Sequence, residues 1–195
     1  MIIPEKDCAH KSDEQLVSES LKNSEYYLCL IKRFESKLRN YIMKISNLNI
    51  QDAEDILQEI FIKTYRNLND FDCTYKFSNW IYRIAHNTTI SLYRKKKNSD
   101  LELSWEKNEL ENILQTTLKL EEKHYNQSSY ENILKIIEQL PIKYKEVLIL
   151  KFIDGKDYKA ISDILHKPMG TVATLINRAK KILAKELSKK GITVK

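Results

Sequence analysis

The sequence is poor in the residues that make tight turns, with three glycines and three prolines among 195 residues. A chain with so few turn formers is predicted to be almost entirely helical, without strands. Its three cysteines, Cys8, Cys29 and Cys73, are odd in number and far apart, which favours free thiols over a disulfide framework. The N-terminus has no apolar signal core, and no apolar run is long enough to span a membrane. We therefore expect a cytoplasmic protein without membrane insertion.

Motifs that carry chemistry are also scarce. The sequence contains no glycine-rich phosphate loop and no nucleophile–base pairing. Cys8 and His10 would make half a zinc site, but no second half lies nearby. Asp52, Asp55 and Glu59 share a helix face, yet nothing completes a metal-dependent nuclease site, so a solvated or partner-binding face is favoured. We expect no enzymatic activity, no metal and no cofactor.

Charge is distributed unevenly along the chain, whose net charge is +6. Residues 76–97 hold six cations and no acids, residues 98–130 hold seven acids and three lysines, and residues 155–195 hold ten cations and three acids. An acidic stretch thus separates two basic segments, which indicates two domains joined by a linker. We place the domains at 1–97 and 130–195 and the acidic linker at 98–129. The basic segments suit a polyanion such as nucleic acid.

Apolar residues in the first half recur at three- and four-residue spacing, which predicts amphipathic helices. One such helix begins near Asp52, the expected N-cap, and its acidic first turn suits the helix dipole. Its buried stripe is predicted to be Ala53, Ile56, Leu57, Ile60, Phe61, Thr64 and Leu68. An upstream helix is predicted to bury Leu30, Phe34, Leu38 and Ile42. The basic helix is predicted to bury Ile81, Ile84, Ala85, Thr88 and Leu92, and to expose Arg83, Asn87, Ile90 and Arg94.

The second half carries a helix-turn-helix pattern. A short helix with Tyr158, Ile161 and Leu165 inward is followed by a turn at residues 166–168 and a basic helix from about Gly170. The exposed face of that second helix is predicted to present Thr171, Ala173, Thr174, Asn177, Arg178 and Lys181. Asn can read bases, whereas Arg and Lys reach phosphates. An ordinary helical hairpin remains the alternative.

The residues "DAEDILQEIFIKTYRNLNDFD" and "KFSNWIYRIAHNTTISLYRKKK" closely resemble region 2 of bacterial extracytoplasmic-function (ECF) sigma factors. The stretch "LPIKYKEVLILKFIDGKDYKAISDILHKPMGTVATLINRAKKILAKEL" resembles their region 4. The resemblance implies an all-α protein of two small domains that directs core RNA polymerase to specific promoters and stabilises the melted minus-ten strand. The alternative is a helix-turn-helix regulator that binds duplex DNA without polymerase.

The resemblance also implies partners and site residues. The partners are the β and β′ subunits of core RNA polymerase, promoter DNA and an anti-sigma factor. Contacts to β′ would come from Asp55, Gln58 and Glu59. Contacts to the minus-ten element would come from the loop residues Tyr75, Lys76 and Phe77 and from Asn79, Trp80, Arg83, Asn87, Arg94, Lys95, Lys96 and Lys97. The minus-thirty-five element would be read by Thr171, Thr174, Asn177, Arg178 and Lys181.

Two positions depart from the family pattern. His166 stands in the turn of the helix-turn-helix, where the family often has glycine, so we expect slight backbone strain there. Ala173 and Leu175 replace cations that the family often carries early in the recognition helix. We therefore expect DNA contacts to shift to the neighbouring polar positions of that helix.

Overall fold

The computed structural model describes residues 8–46, 48–97 and 127–189, with side chains for all of these except 93–97 and 127–132. The secondary-structure elements in these ranges are all helices or helical turns, with no strand, which confirms the predicted all-α fold. None of the helices in these ranges is both long and apolar enough to cross a membrane. The predicted linker lies outside the described residues, apart from its last three positions, which begin a helix.

Within the described residues, the first of two compact units is built mainly from four helices. They are α1 (Asp13–Lys22), α2 (Tyr27–Ser46), α3 (Ile50–Arg66) and α4 (Phe77–Lys97). Short 3-10 turns at Ser24–Tyr26 and Leu68–Asp70 precede α2 and follow α3. The sequence analysis predicted α2, α3 and α4 but not α1.

The core of this first unit is built from the predicted stripes of α2 and α3. Leu30, Phe34, Leu38 and Ile42 are each at most 3% exposed, and all seven predicted positions of the 53–68 stripe are buried. Helices α2 and α4 are joined by an edge-to-face aromatic cluster, in which Phe77 packs against Phe34 and Phe71 with ring centroids 5.6 and 5.4 Å apart. Burial of these side chains supplies most of the stability of the unit, since apolar area removed from water is the dominant favourable term.

Three expectations for this unit are wrong. The N-cap of α3 is Asn49, whose side chain accepts a hydrogen bond from the Asp52 amide at 2.8 Å, so Asp52 lies inside the first turn. Ile90 is buried at 8% exposure because neighbouring elements cover this position of α4, whereas Asn87, predicted on the same side, is exposed. Cys8 and Cys29 are not free thiols but form a disulfide, while Cys73 is free and exposed.

The second half of the chain contains α5 (Gln127–Gln139), α6 (Ile142–Leu148), α7 (Tyr158–Leu165) and α8 (Met169–Lys189). Pro141 separates α5 from α6, as expected for a residue without an amide donor, and α6 continues as a π-helical turn over Ile149–Ile153. Helix α8 packs against α5 and α6 through a buried stripe of Val172, Ile176, Ala179, Leu183 and Leu187. Gly155 adopts the left-handed φ of 64° that the turn before α7 requires.

Candidate functional site

The exposed side of α3 combines polar and apolar groups. Asp55 and Gln58 are exposed, and the carboxylate of Glu59 is half-exposed, with its Oε1 2.6 Å from the Lys63 Nζ. Ile62 is 52% exposed and follows Gln58 by one helical turn. The face thus offers carboxylates beside an apolar side chain, a combination that suits a partner with cations around an apolar contact.

The sequence analysis did not assign Tyr65 to this face, although the structure leaves it 46% exposed. Tyr65 lies three residues beyond Ile62, and its ring packs against that of Tyr27 with centroids 5.0 Å apart. The i, i+3 spacing from Ile62 to Tyr65 was the signal that would have identified it. The apolar part of the exposed face is therefore longer than the sequence analysis stated.

Contacts from α2 hold α3 in place. The Tyr27 hydroxyl donates to the Phe61 carbonyl at 2.7 Å, and burial raises the pKa of Tyr27, which keeps its proton available for this bond. On the surface, the Arg39 guanidinium lies 3.6 Å from both the Glu35 and Glu54 carboxylates. Helix α3 therefore presents its outer face from a fixed position.

The loop between α3 and α4 is organised at its start by Asp72. Its Oδ1 accepts a hydrogen bond from the Thr74 amide at 2.9 Å, and its backbone oxygen accepts one from the Tyr75 amide at 3.0 Å. The Thr74 contacts lower the pKa of Asp72, which remains ionised over the neutral range. This turn leaves Tyr75 65% exposed and Lys76 exposed. Two of the three predicted loop contacts are thus available to a ligand.

Phe77 and Trp80 show that the loop is anchored as well as exposed. Phe77 is 0% exposed, so its part at a binding site would be to anchor the loop, not to contact a ligand directly. Trp80 packs against Phe71 and Phe77, with ring centroids 5.3 and 5.7 Å apart, yet it stays partly exposed. One side of the indole is used in packing, and the rest is open to solvent.

The remaining predicted residues of α4 differ in exposure. Asn87 is exposed, Arg83 is half-buried and Asn79 is buried at 9% exposure. The backbone of residues 94–97 continues the helix, and the side chains of these four cations lie outside the described part. Since residues 76–97 contain no acid, any exposed surface of this helix is neutral or positive. Such a surface suits contacts with phosphates and bases.

The second helix of the helix-turn-helix presents a polar stripe. Thr171, Thr174, Asn177 and Arg178 are exposed, and Lys181 is half-buried. The Thr174 hydroxyl donates to the Gly170 carbonyl at 2.9 Å, which fixes the rotamer of Thr174. Asn177 and Arg178 therefore project from the middle of a helix whose opposite side is buried in the core of the unit, the arrangement a recognition helix needs.

The turn before this helix is held by an ion pair. His166 has a φ of 51°, so the expected strain is present. The Lys167 Nζ lies 3.0 Å from the Glu146 carboxylate, whose side chain is only 6% exposed. This contact ties the turn to α6 across 21 residues of sequence.

A metal-dependent site finds no support among the residues in the described ranges, where no three His, Cys, Asp or Glu side chains lie close enough to hold an ion. Asp52, Asp55 and Glu59 lie along one face of α3 without forming a group that could hold an ion, and Cys8 is bonded to Cys29.

Two models of sigma-70 regions match the chain. The sigma-70 region 2 model matches residues 30–99, and the sigma-70 region 4 model matches residues 130–183. The first match covers the acidic face and the basic helix, and the second covers the helix-turn-helix.

Relatives and solved structures agree with these matches. The chain is 40% identical over 145 residues to the ECF RNA polymerase sigma factor SigW of Bacillus subtilis, covering 71% of this chain and 77% of that protein. It is 28% identical over 178 residues to the ECF RNA polymerase sigma-E factor of Escherichia coli, covering 88% and 92%. CnrH, solved with the cytosolic domain of CnrY, shares the fold with a TM-score of 0.68 at 19% identity, over 92% of this chain and 99% of that one.

Proposed function

Because this chain belongs to the ECF sigma factors and directs core RNA polymerase to promoters, we propose that its two units divide that task among three exposed surfaces. The face of α3 binds polymerase, the loop and α4 bind the minus-ten element, and α8 binds the minus-thirty-five element. If the chain only bound duplex DNA through its helix-turn-helix, without polymerase, the half of the chain that matches region 2 would have no role.

The observation that carries this proposal is the charge contrast within the first unit. Helix α3 exposes Asp55 and Glu59, whereas the next helix has no acid from Lys76 to Lys97. A protein partner with cations suits the first surface, and a nucleic acid suits the second. Two neighbouring helices of opposite charge character allow one unit to bind polymerase and DNA at the same time.

On α3, the polar contacts to β′ come from Asp55, Gln58 and Glu59. Ile62 and Tyr65, which lie closer to the C-terminal end of this helix, supply apolar contact area.

On α4 and its loop, Tyr75 and Trp80 offer ring faces for stacking on unpaired bases. Such stacking is sequence-tolerant and needs partly exposed aromatic rings. Arg83 and Asn87 extend this surface, and the cations at 94–97 add charge toward the phosphates. The chain contributes no catalytic step of its own, since binding and strand capture suffice for this role.

On α8, Asn177 reads an adenine edge, Arg178 reads guanine or a phosphate, and Lys181 with the two threonines contacts phosphates. The absence of cations at Ala173 and Leu175 leaves base discrimination to the middle of the helix. Promoter DNA and the β and β′ subunits of polymerase are thus the partners of the active protein, which acts in the cytoplasm.

An anti-sigma factor is a further partner under this proposal. RpoE of Bartonella quintana, solved in complex with the anti-sigma factor NepR, shares the fold with a TM-score of 0.61 at 19% identity, covering 81% of this chain and 94% of that one. A binder of this kind would compete with polymerase or DNA for the exposed surfaces named above.

Run-off transcription with core polymerase on genomic fragments tests the function directly. We expect promoter-specific transcripts only when the chain is present, and loss of open complexes, but not of polymerase binding, with Asn87→Ala. Asn40→Ala, an exposed asparagine on α2, is the matched control. Duplex binding without any stimulation of transcription would instead favour the plain helix-turn-helix regulator.

A further inference from the structure

Helix α4 begins without a capping residue of its own. The carbonyl of Lys76 accepts the first hydrogen bonds of the helix, from the Asn79 and Trp80 amides at 3.0 and 3.3 Å, which makes Lys76 the N-cap position. A lysine side chain has no acceptor, so it cannot satisfy the first amides of the helix as Ser, Thr, Asp or Asn would. The buried amide of Phe77 needs a partner from elsewhere in the fold.

Glu14 on α1 supplies that partner from 63 residues away. Its Oε1 accepts a hydrogen bond from the Phe77 amide at 3.0 Å. A carboxylate at this place also interacts favourably with the positive end of the α4 dipole. The cap of the basic helix is therefore provided by a different helix, and its position depends on how firmly α1 is held.

Helix α1 is held firmly. Leu16 and Val17 are buried in the core, and Ser12 and Gln15 form a reciprocal capping box at its start. The Arg33 guanidinium donates to the Asp13 carboxylate at 2.6 Å and to the Cys8 carbonyl at 2.7 Å. The Cys8–Cys29 disulfide attaches the preceding segment to α2. Glu14 is thus a fixed acceptor and not a mobile surface carboxylate.

The charge state of Glu14 agrees with this geometry. Partial burial acts to raise its pKa, but the Phe77 amide, further hydrogen bonds and the Lys76 charge outweigh burial, so the pKa lies below its ordinary value. Glu14 is ionised throughout the neutral range, and its contribution is lost only as pH falls through that lowered pKa.

We propose that Glu14 is a positioning residue for minus-ten strand capture. It fixes the end of the loop from which Tyr75 projects, while Asp72 fixes the beginning. With both ends held, the exposed Tyr75 ring and the Lys76 backbone are ordered before DNA arrives, which reduces the entropy lost on binding. This inference rests on the proposed function, because it assigns Glu14 to the loop that captures an unpaired base.

Binding of a minus-ten non-template oligonucleotide to the reconstituted holoenzyme tests this role. The oligonucleotide comes from a promoter found by run-off transcription and is also made as a series with one abasic position at a time. The position whose loss weakens wild-type binding most identifies the captured base. The variants are Glu14→Ala, Glu14→Gln and, as a matched control on the same helix, Glu19→Gln, which removes a surface pair with Lys22.

We expect Glu14→Ala to weaken binding of the intact oligonucleotide about fivefold or more, the factor that corresponds to one lost hydrogen bond. Its effect should fall below about twofold on the oligonucleotide that lacks the captured base, because the two changes remove the same interaction. Glu14→Gln keeps an amide oxygen as acceptor and should restore part of the binding. Glu19→Gln should bind like the wild type, and all three should bind core polymerase normally.

Equal losses on the intact and abasic oligonucleotides would overturn the positioning role, because general destabilisation of the unit affects both alike. Unchanged binding by Glu14→Ala would overturn it as well. If the wild-type holoenzyme itself binds every abasic oligonucleotide as tightly as the intact one, then base capture by this loop is wrong, and the proposed function fails at that point together with this inference.

Discussion

Glu59→Gln separates the cost of a lost polymerase contact from the cost of a lost surface ion pair. In the free protein, Glu59 pairs with Lys63 one helical turn away at 2.6 Å, and the two side chains are 44% and 45% exposed. A pair as exposed as this contributes about 0.3–0.5 kcal/mol to stability. The substitution should therefore lower the thermal midpoint of the first unit by no more than about 4 °C.

The expected cost in binding is larger. If Glu59 is buried against a cation of β′, then removing its charge leaves that cation without a partner, which costs about 2 kcal/mol or more. The dissociation constant for core polymerase should then rise about 30-fold or more. Most of the change should appear in the dissociation rate, because contacts at the centre of an interface act mainly after encounter. The expected loss of binding free energy, about 2 kcal/mol, is several times the expected loss of stability, about 0.3–0.5 kcal/mol. A binding titration resolves this difference.

Fluorescence titration of labelled protein with core polymerase measures this difference, and Glu35→Gln is the matched control. Glu35 and Arg39 also form a pair one turn apart on α2, at 3.6 Å, and Arg39 lies at the same distance from Glu54 of α3. The control therefore removes the same charge from the same kind of pair, and we expect its affinity to stay within about twofold of wild type. Equal affinities of the two variants for core polymerase would refute the docking assignment. A loss of affinity in proportion to the fall in the thermal midpoint of each variant would refute it as well.

Three further results are expected. In a randomised-promoter selection, Asn177→Ala should change the preference at one base pair of the minus-thirty-five element by about 1–3 kcal/mol. Lys181→Ala should instead weaken all promoters and lower the salt slope by about one, and an unchanged preference with Asn177→Ala would contradict the placement of the reading face. In urea unfolding without reductant, Cys8→Ser should cost up to about 3 kcal/mol through lost loop closure, and reductant should lower the midpoint of the wild type but not of the variant. His166→Gly should stabilise the protein by about 0.5–1 kcal/mol because it relieves the φ of 51°, whereas Gly155→Ala at a φ of 64° should destabilise it. The same sign for both substitutions would show that these angles carry no strain.

Helix positions and core faces could be predicted from the sequence because they depend on local periodicity. The stripe from Leu30 to Ile42 and the stripe from Ala53 to Leu68 are buried as predicted. Spacing alone decides which side of a strongly amphipathic helix turns inward. Helix α1 also had a local signal, the Ser12–Gln15 capping box, and the sequence analysis did not use it.

Burial was less predictable where several elements meet. Ile90 was assigned to the outer side of α4, but it is covered, and Phe77 was assigned to a DNA-binding loop, but it lies at the centre of an aromatic cluster. Helix α4 has apolar residues on more than one side, so its period does not define a single inward face. Only the neighbouring helices determine which of those residues lose contact with water.

The residues that support the candidate sites were the least predictable, because each acts through a partner distant in sequence. The proposed contact residues Asp55 and Asn177 could be predicted from the sequence, because each is a polar residue on the exposed face of an amphipathic helix. The partners Glu14 and Phe77 are 63 residues apart, and Glu146 and Lys167 are 21 residues apart. Neither pair follows a helical period. In both cases a charged side chain from another helix fixes a turn whose own residues, Lys76 and His166, are poorly suited to it. At these two turns the missing capping residue or glycine is the sequence signal that a long-range contact stabilises the turn, and each turn precedes a proposed DNA-binding helix.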